Sequence, residues 1–406
     1  MKQGWEIKKL GEVAVVSSGN SAPQKEELFE NGIYPFIRTS DVGQIRKGFI
    51  RFCNDYLNED GVKGLKLYKK GTILFPKSGA STFLNHRVMM EIDGYVSSHL
   101  ATIKGNNSII DDRFLLYFLT TIDARNLMQD IAYPSLKTSE ISLIPIPYPP
   151  LPEQQRIVAI LDEAFAAIAK AKANAEQNLK NAKELFESYL QGVFENKGEG
   201  WEEKKVNEIG IAQTGTTPKT ADKENYGDFI PFIKPADVDF SGIGDIRYGN
   251  EGLSEIGLKK GRKMERGSTL MVCIGATIGK VGFAEQVVSC NQQINSLTVK
   301  KEFEPKFIYY AMTSKAFQEK VLLEGKGAQA TLPIINKSKW ENLTISFPKS
   351  KTEQKTFVEK FDALQNETKK LETIYQQKIN DLEELKKSIL QKAFSGELET
   401  EKTHHK

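Results

Sequence analysis

A repeat of about 200 residues restricts this chain to folds built from two copies of one module. WEIKKLGEVAVVSSGN (5–20) aligns without a gap with WEEKKVNEIGIAQTGT (201–216), and this shift of 196 positions takes Trp5 to Trp201 and Gly19 to Gly215. The same shift aligns YPFIRTSDV with IPFIKPADV and GTILFPKSGAS with GSTLMVCIGAT. A register kept over about 75 residues is not a chance match, so the chain contains one module twice.

The register changes to a shift of 200 where each module ends. LPEQQRIVAILDEAF (151–165) then aligns with SKTEQKTFVEKFDAL (350–364), so Gln154 meets Gln354 and Asp162 meets Asp362. Both segments continue as a heptad-like apolar stripe in a charged background, interrupted by Lys172 in the first copy and by Thr368 and Lys378 in the second. This pattern predicts two long helices that stand outside the module cores and pair with each other, most simply antiparallel.

The seam of this pair is predicted from the apolar positions at the heptad spacing. In the first helix they are Leu161, Phe165, Ile168, Ala175, Leu179, Ala182, Phe186, Tyr189 and Val193. In the second helix they are Phe361, Leu364, Leu371, Tyr375, Leu382, Leu385 and Ile389. The outer, charged faces either dock partner subunits or are simply solvated.

Short β-branched and aromatic runs, broken by Gly, Asn and Asp, dominate each module and predict strands. One amphipathic helix follows in each copy, at 111–129 and at 305–323. We therefore expect an α+β fold: two similar modules framed by a curved sheet and separated by two long antiparallel helices in a pseudo-twofold tandem repeat. The expected divisions are 1–150, 151–195, 196–349 and 350–398, with a disordered tail at 399–406.

Composition narrows the class of protein without identifying it. The net charge of +3 permits a nucleic-acid partner but does not require one. Cys53, Cys273 and Cys290 form no CxxC pair, which disfavours a disulfide framework and a zinc ribbon. Because no apolar run is long enough to cross a membrane, we expect a cytoplasmic protein without a membrane partner.

Motifs for catalysis are missing from the sequence. It contains no NPPY or DPPY segment and no G-x-G-x-x-G after a strand. GATIGKV (275–281) imitates a nucleotide-binding P-loop, but only three residues separate its glycines and Val281 occupies the place of the magnesium-binding hydroxyl. His86 and His99 lack the spacing of metal ligands. We therefore expect no cofactor, no metal and no catalytic activity.

Taken together, the PIPYPPLPEQQRIVAILDEAF run, the WEIKKLGEV opening, the KTSEISLIPIP segment and the duplication resemble the specificity subunit of type I restriction-modification systems. The resemblance covers 5–398, although FPKSKTEQK lacks the double proline of the first copy. It implies two target recognition domains that each read half of a bipartite double-stranded DNA site. It also implies that the helices dock methyltransferase subunits, two in number, and that restriction subunits join if the system is complete. The alternative is a coiled-coil adaptor whose two heads bind proteins.

Candidate DNA-contacting residues are cations, hydroxyls and amides at strand ends and on loops, since phosphates take cations while base edges take paired donors and acceptors. In the first module they are Arg38, Thr39, Ser40, Lys77, Ser78, Ser81, Ser98, His99 and Lys137. In the second they are Lys234, Asp237, Thr277, Lys280, Asn291, Gln292, Gln293, Lys326 and Lys337. The competing interpretations are solvated strand ends, buried hydrogen-bonded groups and a plain loop before the last strand. Because the modules differ at most of these positions, the site is expected to be asymmetric.

Overall fold

The computed structural model describes residues 4–128, 134–238, 246–325 and 333–398. The chain forms two compact units. Unit 1 comprises Met1–Asn174 with Lys378–Lys406, and unit 2 comprises Ala175–Gln377. Each long helix therefore contributes residues to both units. Lys326 and the tail expected at 399–406 lie outside the described residues.

Unit 1 begins with β1 (Glu6–Lys9), α1 (Leu10–Val13), β2 (Ala14–Ser18), β3 (Tyr34–Ile37), α2 (Thr39–Ile45), β4 (Lys47–Ile50), β5 (Asp55–Leu57), β6 (Ile73–Pro76), β7 (Arg87–Met90), β8 (Tyr95–Val96) and β9 (Leu100–Gly105). It continues with α3 (Asp112–Leu119), α4 (Thr138–Ser142), β10 (Pro145–Tyr148) and the long helix α5 (Leu151–Glu195). The strands form a five-stranded sheet in the order β2-β9-β6-β7-β4, a three-stranded sheet β5-β3-β8 and the antiparallel pair β1-β10.

The chain then enters β11 (Trp201–Lys205), α6 (Val206–Ile209), β12 (Gly210–Thr214), β13 (Tyr226–Ile233), β14 (Gly252–Leu253), α7 (Glu255–Lys260), β15 (Lys263–Met264), β16 (Thr269–Val272), β17 (Val281–Phe283), β18 (Val288–Cys290) and β19 (Ile294–Val299). The last elements are α8 (Pro305–Thr313), α9 (Lys315–Gly325), α10 (Lys337–Glu341), β20 (Thr344–Pro348) and the long helix α11 (Lys351–Ser395). Unit 2 has sheets in the orders β12-β19-β16-β17 and β14-β13-β18-β15, and the pair β11-β20.

The α+β class and the tandem arrangement are confirmed, whereas the expectation of one curved sheet per module is wrong. Apart from the pairs β1-β10 and β11-β20, each unit divides its strands between two sheets, of five and three strands in unit 1 and of four strands each in unit 2. The second sheet of each unit contains one parallel pair, β3-β8 or β13-β18. The repeated glycines lie where the two sheets approach each other. A Cβ atom on Gly19 would lie 2.2 Å from the carbonyl oxygen of Ser97, and one on Gly215 would lie 2.2 Å from that of Asn291. These positions therefore require glycine.

The helix expected after each module's strands is broken in both copies. In the first, α3 ends at Leu119 and a 3₁₀ turn follows at Ala124–Leu127. In the second, Ser314 takes an extended conformation between α8 and α9. Hydroxyl side chains at the breaks, including those of Thr120 and Ser314, donate to carbonyl groups three residues back and so compete with continuation of the helix.

The long helices belong to the module cores, contrary to expectation. In unit 1, Leu161 of α5 and Ala393 of α11 are fully buried in the same apolar cluster as α3. Phe394 lies 5.2 Å from Phe114, between ring centroids. In unit 2, Phe361 of α11 is fully buried, and its ring lies 4.9 Å from that of Tyr310. Each module therefore buries apolar surface against both long helices.

Within unit 1 the two helices run antiparallel. The ammonium of Lys386 in α11 lies 5.0 Å from the ring centroid of Phe165 in α5. Lys172, which is later in α5, pairs at 2.5 Å with Glu383, which is earlier in α11. The polar position predicted in the seam is thus matched by a carboxylate. Thr368 is buried as the predicted seam requires, and the ring of Tyr189, although 37% exposed, packs on that of Phe361 with the ring centroids 5.9 Å apart. Leu385 is 47% exposed and does not belong to the seam.

Candidate nucleic-acid interface

The two parallel strand pairs place most of the candidate residues of each unit at one sheet edge. Ile37 of β3 is paired with Val96 of β8, so Arg38 and the segment 97–99 leave the sheet side by side. In unit 2, Ile233 of β13 is paired with Cys290 of β18, and Lys234 and the segment 291–293 leave in the same way. Because parallel strands end at a common edge, residues far apart in the sequence meet there.

A cation follows the first strand of each pair and is held by a carboxylate. The guanidinium of Arg38 pairs with Asp55 and lies 5.5 Å and 5.3 Å from the ring centroids of Phe29 and Phe36. The ammonium of Lys234 pairs with Glu251, which is the residue that the 196 shift matches to Asp55. The side chains of Arg38 and Lys234 remain 39% and 41% exposed, so each cation is oriented by the fold and still reaches the surface.

Asp237 is used within the protein. It is only 4% exposed, its Oδ2 accepts from the backbone N–H of Lys234 at 2.8 Å, and its Oδ1 accepts from the side chain of Asn250 at 2.6 Å. Asp41 has the same arrangement with Arg38 and Asn54 in unit 1. These buried carboxylates shape the turn after the strand, and both oxygens of each already accept hydrogen bonds within the protein. Beside this turn in unit 1, Thr39 is half-buried and Ser40 is exposed in the first turn of α2.

The second cluster of unit 1 joins the end of β6 to the segment before β9. The Oγ of Ser78 and the Nδ1 of His99 share a hydrogen bond of 2.7 Å, and the Oγ of Ser81 donates to the carbonyl of Ser78 at 3.1 Å. The backbone N–H of Lys77 donates to the carbonyl of His99 at 3.0 Å. Ser98 is anchored by its backbone N–H, which donates to the carbonyl of Asn20 at 2.7 Å. His99 is exposed, and its ring is positioned by a hydroxyl group.

The corresponding edge of unit 2 carries amides. Asn291 is 7% exposed, and its side chain donates to Oε1 of Gln293 at 2.9 Å while accepting from the Gln293 backbone N–H at 3.1 Å. It is therefore a buried, internally bonded amide. Gln292 is exposed, and its side-chain oxygen accepts from the hydroxyl of Thr217. The amide nitrogen of Gln292, on the same exposed side chain, can donate to a ligand.

The remaining candidates occupy less concentrated positions. Lys137 is exposed. Its neighbour Leu136 donates its backbone N–H to the carbonyl of Lys77 at 2.8 Å, so Lys137 lies beside the second cluster of unit 1. Lys337 is half-buried and pairs with Glu341 at 2.9 Å. Thr277 and Lys280 are also half-buried, and the Lys280 ammonium donates to the carbonyl of Val238 at 3.0 Å. Lys337 and Lys280 are therefore engaged within unit 2.

One matched pair of cations was missed. Lys66 and Arg262 are both exposed and are related by the 196 shift. The Lys66 ammonium donates to the hydroxyl of Ser17 at 3.4 Å, and the Arg262 guanidinium donates to the carbonyl of Thr214 at 2.7 Å, so each reaches the same end of the equivalent strands β2 and β12. The repeat alignment itself contains this signal, because it pairs lysine with arginine at these positions.

The part of the chain described by the structure holds no group of three or more His, Cys, Asp or Glu side chains placed to bind a metal ion. Burial raises the pKa of the Cys273 and Cys290 thiols to about 12 and that of Cys53 to about 11. Thiols with such values are poor nucleophiles at neutral pH. Among the same residues, no helix is both long and apolar enough to span a bilayer.

Comparison with known proteins agrees with this picture. The model of the type I restriction modification DNA specificity domain matches twice, at residues 2–179 and 198–384. The MjaIX specificity subunit of Methanocaldococcus jannaschii is 33% identical over 41% of this chain and 39% of its own length. The putative MjaX specificity subunit of the same organism is 22% identical over 98% of this chain and 94% of its own length.

Two solved structures share the fold over almost the whole chain. One, from a study of the assembly and conformational transition of the type I R-M system, has a TM-score of 0.77 at 21% identity and covers 98% of this chain and 99% of that chain. The HsdS subunit of Thermoanaerobacter tengcongensis has a TM-score of 0.63 at 20% identity, covering 98% of both chains. With its two matched domains and the long helix α5 between them, this chain belongs to the type I restriction modification DNA specificity family.

Proposed function

We propose that this chain is the non-catalytic, DNA-reading specificity subunit of a type I restriction-modification complex. In this proposal, residues 1–150 and 196–349 are target recognition domains, and each reads one half of a bipartite double-stranded DNA site. The observation that carries the proposal is the contrast between matched cations and unmatched polar groups at equivalent sheet edges. The family membership supports DNA as the partner.

The matched cations are suited to phosphate contacts. Arg38 and Lys234 occupy equivalent positions, as do Lys66 and Arg262. A lysine and an arginine can replace each other where only charge is needed, as at the DNA backbone. Equivalent positions in two modules would then hold two stretches of duplex in the same way.

The unmatched groups are suited to base edges. Unit 1 presents His99 with Ser78, whereas unit 2 presents the amide of Gln292 with Thr217. A glutamine amide can pair with the major-groove edge of adenine, while a hydroxyl or an imidazole offers a different pattern of donors and acceptors. Two sheet edges with different donors and acceptors would recognise two different half-sites, so the DNA target would be asymmetric.

The long helices would set the spacing of the half-sites and dock the other subunits. Leu185 and Leu385 are related by the 200 shift and are 48% and 47% exposed, and Val15 and Ile211, related by the 196 shift, are also exposed. Matched apolar side chains on two similar units fit two copies of one partner, and we assign them to two methyltransferase subunits. Restriction subunits would join in a complete system, and the complex would work on DNA in the cytoplasm.

The proposal is tested by selecting duplexes from a random library with the chain bound to its methyltransferase subunits. The expected result is a bipartite motif with unlike halves, together with an affinity that falls steeply as salt rises. Removing one matched heptad from each long helix should shorten the spacer of the motif or abolish binding. An adaptor with protein-binding heads would select no motif, and an unchanged spacer would contradict the role of the helices.

A further inference from the structure

A cleft of about 670 Å³ in unit 1 is separate from the sheet edges described above. Its walls come from the turn between α2 and β4, the end of α3, and the parts of α5 and α11 that belong to this unit. Apolar and aromatic side chains form its floor, including Phe49, Phe165 and Leu390. A cavity of this volume lies within the range of small-molecule sites, which are typically about 300–1,000 Å³.

The walls carry an excess of positive charge. The cations are Arg46, Lys47, Lys172, Lys386 and Lys387, and the lining includes one carboxylate, that of Glu383. Glu383 pairs with Lys172 at 2.5 Å, and Lys387 pairs with Glu384 at 2.7 Å, so these charges are already engaged and the excess rests on Arg46, Lys47 and Lys386. Within the described ranges, neither Lys47 nor Lys386 has a carboxylate at ion-pair distance. Burial lowers the pKa of Lys47, and the neighbouring charges of Lys386 and Arg87 lower it further. An anion in the cleft would relieve this repulsion.

The other copy of the repeat shows that the fold does not require these charges. The 200 shift matches Lys386 with Phe186, Lys387 with Glu187 and Lys172 with Glu372. It also matches Phe165 of the cleft floor with Gln365. The same helical positions thus support the other unit without the cations, so the cluster is a property of unit 1 alone.

We propose that this cleft binds a small phosphorylated ligand with a flat aromatic ring, the chemical class of the nucleoside polyphosphates. Lysine ammonium groups bind phosphate as point charges, and the cluster supplies several of them around one cavity. The ring would pack on the aromatic floor. Because the cleft is recessed and far smaller than the surface that a duplex or a folded protein covers, a compact ligand fits it better than a macromolecule. Since unit 2 lacks the cations, the stoichiometry is one ligand per chain.

The test uses the full-length chain and titration calorimetry with three probes at low salt. ATP carries both the ring and the charge, inorganic tripolyphosphate carries only the charge, and adenosine carries only the ring. We expect saturable 1:1 binding of ATP, weaker binding of tripolyphosphate and no binding of adenosine. The K47Q/K386Q double variant should bind ATP at least about tenfold more weakly, because two of the cluster charges are lost. The control K223Q/K259Q removes two exposed lysines of unit 2 and should leave ATP binding unchanged.

A second variant shows whether weaker ATP binding by K47Q/K386Q comes from the lost charges or from a folding defect. K387E changes an exposed residue to the one found in the other copy, and it too should weaken ATP binding while the melting temperature stays constant. The proposal is overturned if ATP does not saturate, if adenosine binds as tightly as ATP, or if tripolyphosphate matches ATP. It is equally overturned if K47Q/K386Q and K387E both bind ATP like the wild type. It is also overturned if a short DNA duplex displaces ATP in proportion to the fraction of the chain that the duplex occupies, because the cleft would then be part of the DNA-binding surface.

Discussion

The side-chain oxygen of Gln154 accepts a hydrogen bond from the backbone N–H of Asp111 at 2.8 Å, joining the start of α5 to the start of α3. The amide nitrogen of Gln154 donates to the carbonyls of Pro149 and Ile109, and the side chain is fully buried. Gln354 repeats the arrangement in unit 2, accepting from Glu304 and donating to Pro348. The repeated Glu-Gln motif is thus a structural joint between each module and its helix.

Replacing Gln154 with leucine should destabilise unit 1 by about 2 kcal/mol or more, because buried backbone groups lose their partners. Urea unfolding of the full-length chain measures this. Gln177→Leu, at an exposed position of the same helix, is the matched control and should change the free energy of unfolding by less than about 0.5 kcal/mol. Equal effects of the two changes on the free energy of unfolding would contradict the structural role of Gln154.

The ion pair between Lys172 and Glu383 should make stability depend on pH. The hydrogen bond from Lys172 lowers the pKa of Glu383, and the charges of Lys172 and Lys386 add to this against the effect of burial. A lowered pKa means that the stabilisation is present above the ordinary glutamate pKa and is lost as pH falls through the lowered value. Glu383→Gln should therefore cost up to about 1 kcal/mol at neutral pH and progressively less below about pH 4.

The control for that experiment is Glu384→Gln, because Glu384 pairs with Lys387 three residues along on the exposed face of the helix. Its effect on urea unfolding at neutral pH should be smaller than that of Glu383→Gln. A difference between Glu383→Gln and the wild type that grows toward acid pH would have the wrong sign for this ion pair.

The three cysteines should be unreactive in the folded chain. All three thiols are buried, and burial raises their pKa values to between about 11 and about 12. Titration with a thiol-reactive chromophore at mildly alkaline pH should label almost none of them in the native chain and all three in denaturant. Rapid labelling of the native chain would show that a thiol is more accessible than the structure indicates.

Lys66→Gln and Arg262→Gln should each weaken DNA binding by a similar factor on every sequence. A phosphate contact carries charge but no base information, so the slope of log affinity against log salt should fall by about 1 per residue. Binding to the cognate duplex and to a random duplex, measured over a salt series, checks this. Lys180→Gln on α5 removes one exposed lysine that pairs with Glu184 and should leave the slope unchanged.

Changes to the proposed base-reading residues of one unit should alter specificity in only one half of the DNA motif. The double change Ser78→Ala with His99→Ala should relax specificity in one half of the motif, and Gln292→Ala should relax it in the other half. Each lost base contact should cost about 1–3 kcal/mol against the preferred base. Repeating the library selection with each variant is the measurement, and each variant controls for the other. Loss of specificity in both halves from either change would contradict the assignment.

Much of the architecture could be predicted because it is periodic. The 196 and 200 shifts identify the two modules, and the heptad stripe identifies the long helices and Thr368 in their seam. The break in the helix after Leu119 could not be predicted, because it depends on competition between hydroxyl side chains and the backbone. The exposure of Leu385 was missed because a heptad pattern does not show which of its positions the partner helix covers.

The sequence by itself determined the duplication, the α+β class and the positions of the two long helices, because repeats and apolar periodicity are local properties of the chain. Only the tertiary structure decided which polar side chains are available for binding. Asp237 is engaged by Asn250, and Asn291 is buried and bonded to Gln293, while Gln292 stays exposed. The turn at Arg46 likewise meets Lys386 only in the folded unit. The physical reason is that hydrogen bonds and charge clusters depend on distances between residues far apart in the chain, which pairing of strands and packing of helices establish.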